Sequence, residues 1–259
     1  MIALPWNSVC RRGSGQENPV QQPDFSPAAL REGAASPDRT PLASSVAEGL
    51  GPDTIQRVPL LRADLSRIAG WIEPGSKVLD LGCGDGALLA YLRDVRRVQG
   101  TGIEINDGCM IACVRRGVRV LQQNLEQGLA LFDDQQFDTV VLSQTLQSMH
   151  HTEHILREMG RVARYGIVSF PNFGYWPHIW SIFRGRMPVT GQMPYQWYDT
   201  PNIHLCTLRD FEDLARKLGF TILERATFNG RHETHLLPQW RSTLAVYRFM
   251  SPFKTADGA

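Results

Sequence analysis

Nine residues, VLDLGCGDG at 78–86, constrain this chain more than any others. Val78, Leu79 and Leu81 predict a buried strand that carries Asp80 to its end. Gly82, Gly84 and Gly86 then turn the backbone tightly, and a helix is expected from Ala87. Glycine is needed there because a Cβ would block close approach of the backbone to a ligand. The first N–H groups of that helix lack intrahelical partners and face the same crevice. A strand, glycine turn and helix in this order predict an α/β sheet with a nucleotide-type ligand at the strand ends.

Two ligand classes fit the turn. Gly82, Gly84 and Ala87 satisfy the dinucleotide pattern G-x-G-x-x-G/A, and Glu104 lies at a suitable distance downstream. Electrostatics separates the alternatives. Asp80 and Asp85 put two carboxylates beside the turn, where a pyrophosphate would be repelled. A ligand with ammonium and sulfonium groups and no phosphate would be attracted, and S-adenosylmethionine (SAM) has that pattern. The run from Asp80 to Gly86 resembles the first binding segment, D-x-G-x-G-x-G, of class I SAM-dependent methyltransferases. The resemblance implies a Rossmann-like fold: a mostly parallel seven-stranded sheet, an antiparallel last strand, and helices on both faces.

On that basis Asp80 and the turn of Gly82, Cys83, Gly84 and Gly86 are expected to hold the amino-acid end of SAM or S-adenosylhomocysteine. Glu104, with Ile105 beside it, ends the second strand, where a carboxylate can accept from both ribose hydroxyls. Asn124 and Leu125 follow the third strand, where the superfamily often carries an acid for the adenine amino group. Asparagine keeps only a neutral carbonyl acceptor there. Ser143 and Gln144 end the fourth strand, beside the expected reaction centre. No Ser-His-Asp or Cys-His order stands out, so no residue is assigned a catalytic role. Methyl transfer to a positioned nucleophile does not demand one.

Composition narrows the remaining classes. With 27 Lys and Arg against 26 Asp and Glu in 259 residues, the net charge of +1 argues against a nucleic-acid footprint. Cys10, Cys83, Cys109, Cys113 and Cys206 are scattered and odd in number, as expected of free thiols in a reducing cytoplasm. No apolar run approaches the ~20 residues of a membrane span, and the start lacks the apolar centre of a signal peptide. His150, His151 and His154 suggest a metal at first glance. No distant further ligand accompanies them, so a helix start at the surface is expected.

Half of the chain's 16 prolines fall in residues 1–60, where apolar periodicity is absent. That segment is expected to be disordered, as are residues 251–259. One domain is expected over 61–250, strands alternating with helices, with two closing strands joined by a polar connection. Within it, the insertion 172–206 is rich in aromatic residues. Tyr175, Trp176, Ile179, Trp180, Ile182 and Phe183 crowd one short helix, and Tyr195, Trp197 and Tyr198 follow. At least half of these are expected to form local core. Tyr175, Trp176, Trp180, Trp197 and Tyr198 are the candidates for a partner surface or substrate lid.

A closer resemblance rests on RADLSRIAGWI, GSKVLDLGCGDGALLAYL, GTGIEIN, FDTVVLSQTLQ, SFPNFGYW and RGRMPVTGQMPYQWYDTPNIHLCTLRDFE. Together these resemble the MetW family of methionine biosynthesis proteins over about residues 61–250. SFPNFGYW and PYQWYDTPNIHLCT make it specific, because they are not general methyltransferase segments. The resemblance implies a SAM-binding accessory subunit that supports homoserine O-acyltransferase. A SAM-dependent methyltransferase acting on a small molecule is the alternative, since a shared fold does not establish methyl transfer.

Overall fold

Short apolar runs separated by amphipathic ones produce strands that alternate with helices and are buried on both faces. The computed structural model describes residues 62–252 except 192. The expected Pro-rich extension, and all but the first two residues of the expected tail, lie outside the described residues. The elements are α1 (Ala63–Trp71), β1 (Lys77–Leu81), α2 (Ala87–Arg96), β2 (Gln99–Glu104), α3 (Asp107–Arg115) and β3 (Arg119–Gln122). Then come β4 (Phe137–Ser143), α4 (Thr152–Val162), β5 (Ala163–Pro171) and α5 (Trp176–Phe183). The chain continues with α6 (Leu208–Lys217), β6 (Thr221–Asn229), β7 (His232–Glu233), α7 (Pro238–Arg241) and β8 (Leu244–Met250).

The strand order is β3-β2-β1-β4-β5-β8-β6-β7. Neighbouring strands from β3 to β5 are parallel, and β8 runs antiparallel to both β5 and β6. The sheet has eight strands where seven were expected. The additional β7 is a two-residue strand paired to β6 across a turn in which Gly230 has φ 60°. It falls in the segment that reads as a polar connection, and two residues are too few for an apolar pattern to announce.

Alternation along each strand divides the core into two layers. Leu79, Leu81, Val140, Leu142, Val168 and Tyr247 face one side, where α4 and α6 add Ile155, Leu156, Met159 and Phe211. Val78, Val141, Ile167 and Val246 face the other, against Ile68 and Ile72 of the α1 segment and Leu88 and Leu92 of α2. Gly166 lets the Phe249 ring lie on β5, since a Cβ there would fall 2.1 Å from that ring. Local signals start two helices: Asn106 Oδ1 accepts from Cys109 N–H at 3.0 Å at the head of α3, and Thr207 with Asp210 forms a capping box on α6. α4 ends at Val162 because Ala163 already pairs with Phe137 of β4.

The strand order reverses around β1, which has β2 on one side and β4 on the other. Connections leave in opposite directions at such a point, which opens a crevice at the carboxyl ends of the strands. Asp80, Glu104 and Ser143 all arrive there.

Candidate functional site

The turn after β1 is built from backbone that only glycine adopts freely. Gly82, Gly84 and Gly86 have φ 70°, 58° and 73°. Gly82 also meets a steric limit, since a Cβ there would lie 2.8 Å from Thr145 Oγ1. The turn after β1 thus packs directly on the Thr145 side chain just past β4. Gly82 and Cys83 donate to Ile103 O at 2.8 and 3.0 Å, which ties the turn to β2. Gly86 caps α2 without a side-chain hydrogen bond.

Glu104 is the hub of this crevice. Its Oε2 accepts from Gly84 N–H at 2.9 Å, and its Oε1 from Ile105 and Asn106 N–H at 2.8 and 2.9 Å. A carboxylate has about four lone-pair sites, so these amides orient it and leave room for a further donor. Asp80 is buried at the end of β1, and burial followed by the charge of Glu104 pushes its carboxyl up to about 7. Asp85 departs from its expected part. It pairs with Arg116 at 2.7 Å and accepts from Ala87 N–H at 3.2 Å. The two carboxylates that act on the crevice are therefore Asp80 and Glu104, from adjacent strands, and a cation between them would relieve their repulsion.

The remaining expected ligand residues line the same sheet edge. Ile105 is exposed just past β2, and Leu125 is buried at the start of a short 3-10 turn. Asn124 caps that turn, its Oδ1 accepting from Glu126 N–H at 3.0 Å, which leaves one lone pair on this oxygen. Ser143 Oγ lies 3.1 Å from Ser169 Oγ on β5. Next to it, Gln144 holds φ 52°, a strained value for a side chain of this size. Its N–H donates to Ser169 O and Oγ, and its Nε2 to the buried Asp64 of α1 at 2.9 Å. Asp64 and Thr145 carried no sequence signal for this site, because only the crossing of α1 and the turn over β4 brings them there.

The histidines form a surface junction. His151 is the N-cap residue of α4 and reaches Glu126 at 3.0 Å, and His150 N–H donates to the same carboxylate. Among the described residues no group of three or more His, Cys, Asp or Glu is placed to hold a metal.

The insertion departs from its expected core role. Trp176, Ile179, Trp180, Ile182, Phe183, Trp197 and Tyr198 are all exposed, Phe183 at 80%. Tyr175 is half-buried, and the buried residue of α5 is His178, whose Nε2 lies 3.1 Å from Thr190 Oγ1. Burial lowers the pKa of this histidine. A second exposed segment adjoins the start of the insertion. Leu236, Leu237 and Trp240 are exposed, and Leu237 has φ 49°. Buried Asn172 ties the two together by donating to Gln239 O and Ser242 O, both at 2.9 Å, while accepting from Gly174 N–H.

The sequence pattern of methionine biosynthesis protein MetW matches residues 62–249. The chain belongs to the MetW family. A bifunctional methionine biosynthesis protein MetXA/MetW of Rhodopirellula baltica is 39% identical over 174 residues, covering 63% of this chain and 28% of that relative. The MetW-family chain thus spans under a third of that relative's length. A demethylmenaquinone methyltransferase of Bacillus cytotoxicus is 28% identical over 190 residues, with 66% and 79% covered. Among solved structures, a SAM-dependent methyltransferase from Archaeoglobus fulgidus aligns with TM-score 0.58 at 14% identity, covering 74% of this chain and 94% of that one. The [4+2]-cyclase SpnF aligns at 0.55 and 18% identity, with 74% and 82% covered. These structures establish the class I methyltransferase fold, with its parallel sheet and antiparallel closing strands. No helix among the described residues is long and apolar enough to cross a membrane.

Proposed function

We propose that this MetW-family protein binds SAM or S-adenosylhomocysteine at the glycine turn and serves as an accessory subunit of homoserine O-acyltransferase. The ligand half rests on fit. Gly84 faces open space where a Cβ would lie, which leaves the turn's backbone approachable, and Asp80 is a buried acid whose charged form lacks a compensating cation. The ammonium group of either ligand, joined in SAM by the sulfonium, would supply that charge. Glu104 would receive the ribose hydroxyls, with Ile105 and Leu125 flanking the adenine and Asn124 facing its amino group. SAM, when bound, would bring an activated methyl group, and nothing further is asked of it in a subunit that only senses occupancy.

The observation that carries the partner half is the fusion in Rhodopirellula baltica, where a MetW part shares one polypeptide with a MetXA part. Fusion holds two modules at high effective concentration, which is useful when they work in contact. The exposed tryptophans of α5 have the composition of interface anchors. Co-purification with the candidate acyltransferase, then acyl-transfer assays with and without this protein, tests the reading. Equal rates in the two assays would refute it.

Similarity to a demethylmenaquinone methyltransferase favours a second reading, a SAM-dependent methyltransferase acting on a small molecule. There the aromatic insertion would cover an acceptor. Release of S-adenosylhomocysteine with a defined acceptor, unaffected by the acyltransferase, would select it.

A further inference from the structure

Two sulfurs meet inside the glycine turn. Cys83 Sγ lies 3.8 Å from Cys113 Sγ of α3, and the Cys113 thiol donates to Gly84 O at 3.1 Å. Both cysteines are free; Cys83 is half-buried and Cys113 fully buried. The space for them is made by two glycines. A Cβ at Gly102 would fall 2.5 Å from Cys83 Sγ, and one at Gly86 would fall 2.9 Å from Cys113 Sγ. The ligand cradle and the thiol pair therefore share the same few residues.

We propose that Cys83 and Cys113 form a reversible disulfide that distorts the glycine turn and lowers ligand affinity. The oxidant is a small disulfide, R–S–S–R. The Cys83 thiolate attacks one of its sulfurs, giving a mixed disulfide and releasing one thiolate, R–S⁻. The Cys113 thiolate then attacks Cys83 Sγ and releases the second. Each cysteine loses one proton, and the two electrons end on the two R–SH molecules.

The order of attack follows from access and charge. Cys83 is the more exposed residue of the two, so the oxidant meets it first. Contact with Cys113, then burial, pushes its thiol up, so the first step is slow near neutral pH. The same contact holds the Cys113 thiol below its usual range and favours it as the resolving thiolate.

Bond formation requires an S–S distance of about 2.05 Å. Cys113 is held in α3, while Cys83 sits among residues with glycine freedom, so Cys83 makes most of the approach. The thiol proton that binds Gly84 O is lost in the process, and the Gly84 N–H contact with Glu104 is carried along.

The effect on SAM rests on the reading under Proposed function; the disulfide and the distortion of the turn do not. The test uses the full chain, oxidised with glutathione disulfide at about pH 8.5, alkylated and peptide-mapped. A linkage between 83 and 113 is expected, with faster amide exchange across 82–86 and SAM binding at least about tenfold weaker, all reversed by dithiothreitol. Cys113→Ser keeps a donor to Gly84 O and should stop at the mixed disulfide on Cys83, read as the added mass of one glutathione, with no linkage to position 113. Absence of the 83–113 linkage overturns the proposal, as does a linkage that leaves exchange and affinity unchanged. Should the reduced chain bind no SAM, the ligand reading falls, while mapping and exchange still decide the thiol pair. Reversal in the unsubstituted chain keeps the test independent of whether the variant folds.

Discussion

The glycine turn and the aromatic insertion occupy one molecule but are built on opposite terms. At the turn, backbone amides are consumed: Gly82 and Cys83 bond to Ile103 O, and Gly84, Ile105 and Asn106 converge on Glu104. In the insertion, large apolar side chains are left in water, with Trp197 and Tyr198 each 71% exposed. A crevice for a small ligand must be preorganised, since binding cannot bear the entropy of ordering it. A docking surface can leave desolvation of its aromatic anchors to the partner. The insertion is nevertheless not loose at its root, because buried Asn172 anchors its first turn to the segment before β8.

The contrast predicts that substitutions at the two regions separate ligand binding from complex formation. The largest effect is expected at the hub. Glu104→Ala should cost about 2 to 4 kcal/mol of SAM binding by calorimetry. Because it leaves three amides without their acceptor, it should also cost about 1 to 3 kcal/mol of stability in denaturant. Unchanged SAM affinity would break the assignment of the crevice.

Asp80 supplies a pH test. Its carboxyl titrates at about 7 in the folded protein, against about 3.9 when unfolded. The folded state therefore binds more protons between these values, and stability must fall as pH rises from about 4 to about 7. The loss should be on the order of 2 to 3 kcal/mol without ligand, and Asp80→Asn should flatten it. SAM affinity should rise over the upper part of that range, as the carboxylate becomes available to a cation. Denaturant titrations and calorimetry at matched ionic strength would check both signs.

Trp180→Ala should weaken the complex with the acyltransferase by about 2 kcal/mol if this ring is a central anchor. The same variant should hold stability within about 0.5 kcal/mol, because an exposed ring gives little to the fold. A larger loss of stability would mean that the insertion is core after all. The smallest change is expected from Asn124→Asp, which keeps the cap on Glu126 and adds charge toward the adenine amino group. SAM binding should tighten by under about 1 kcal/mol, read from the ratio of dissociation constants.

Most of the parallel sheet was legible because period and punctuation agree. Apolar runs place β1, β4 and β5 to within a few residues, with Gly82 and Pro171 marking the ends of β1 and β5, and capping residues place α3 and α6. Asp80 and Glu104 were readable as strand ends for the same reason. Asp85 was misread because its partner, Arg116, lies 31 residues away on another element. The insertion was misread because composition gives the cost of exposing a tryptophan but not whether a surface exists to cover it.

By itself the sequence determined the strand–turn–helix unit, the alternation of the sheet and the family, since each depends on neighbours along the chain. Tertiary structure decided which charges meet. The repulsion between Asp80 and Glu104, the hydrogen bonds of Gln144 to Ser169 and Asp64, and the contact of Cys83 with Cys113 all join separate elements. Electrostatics, steric approach and thiol chemistry act through space over a few ångströms, and separation along the chain carries no record of that distance until the sheet is assembled.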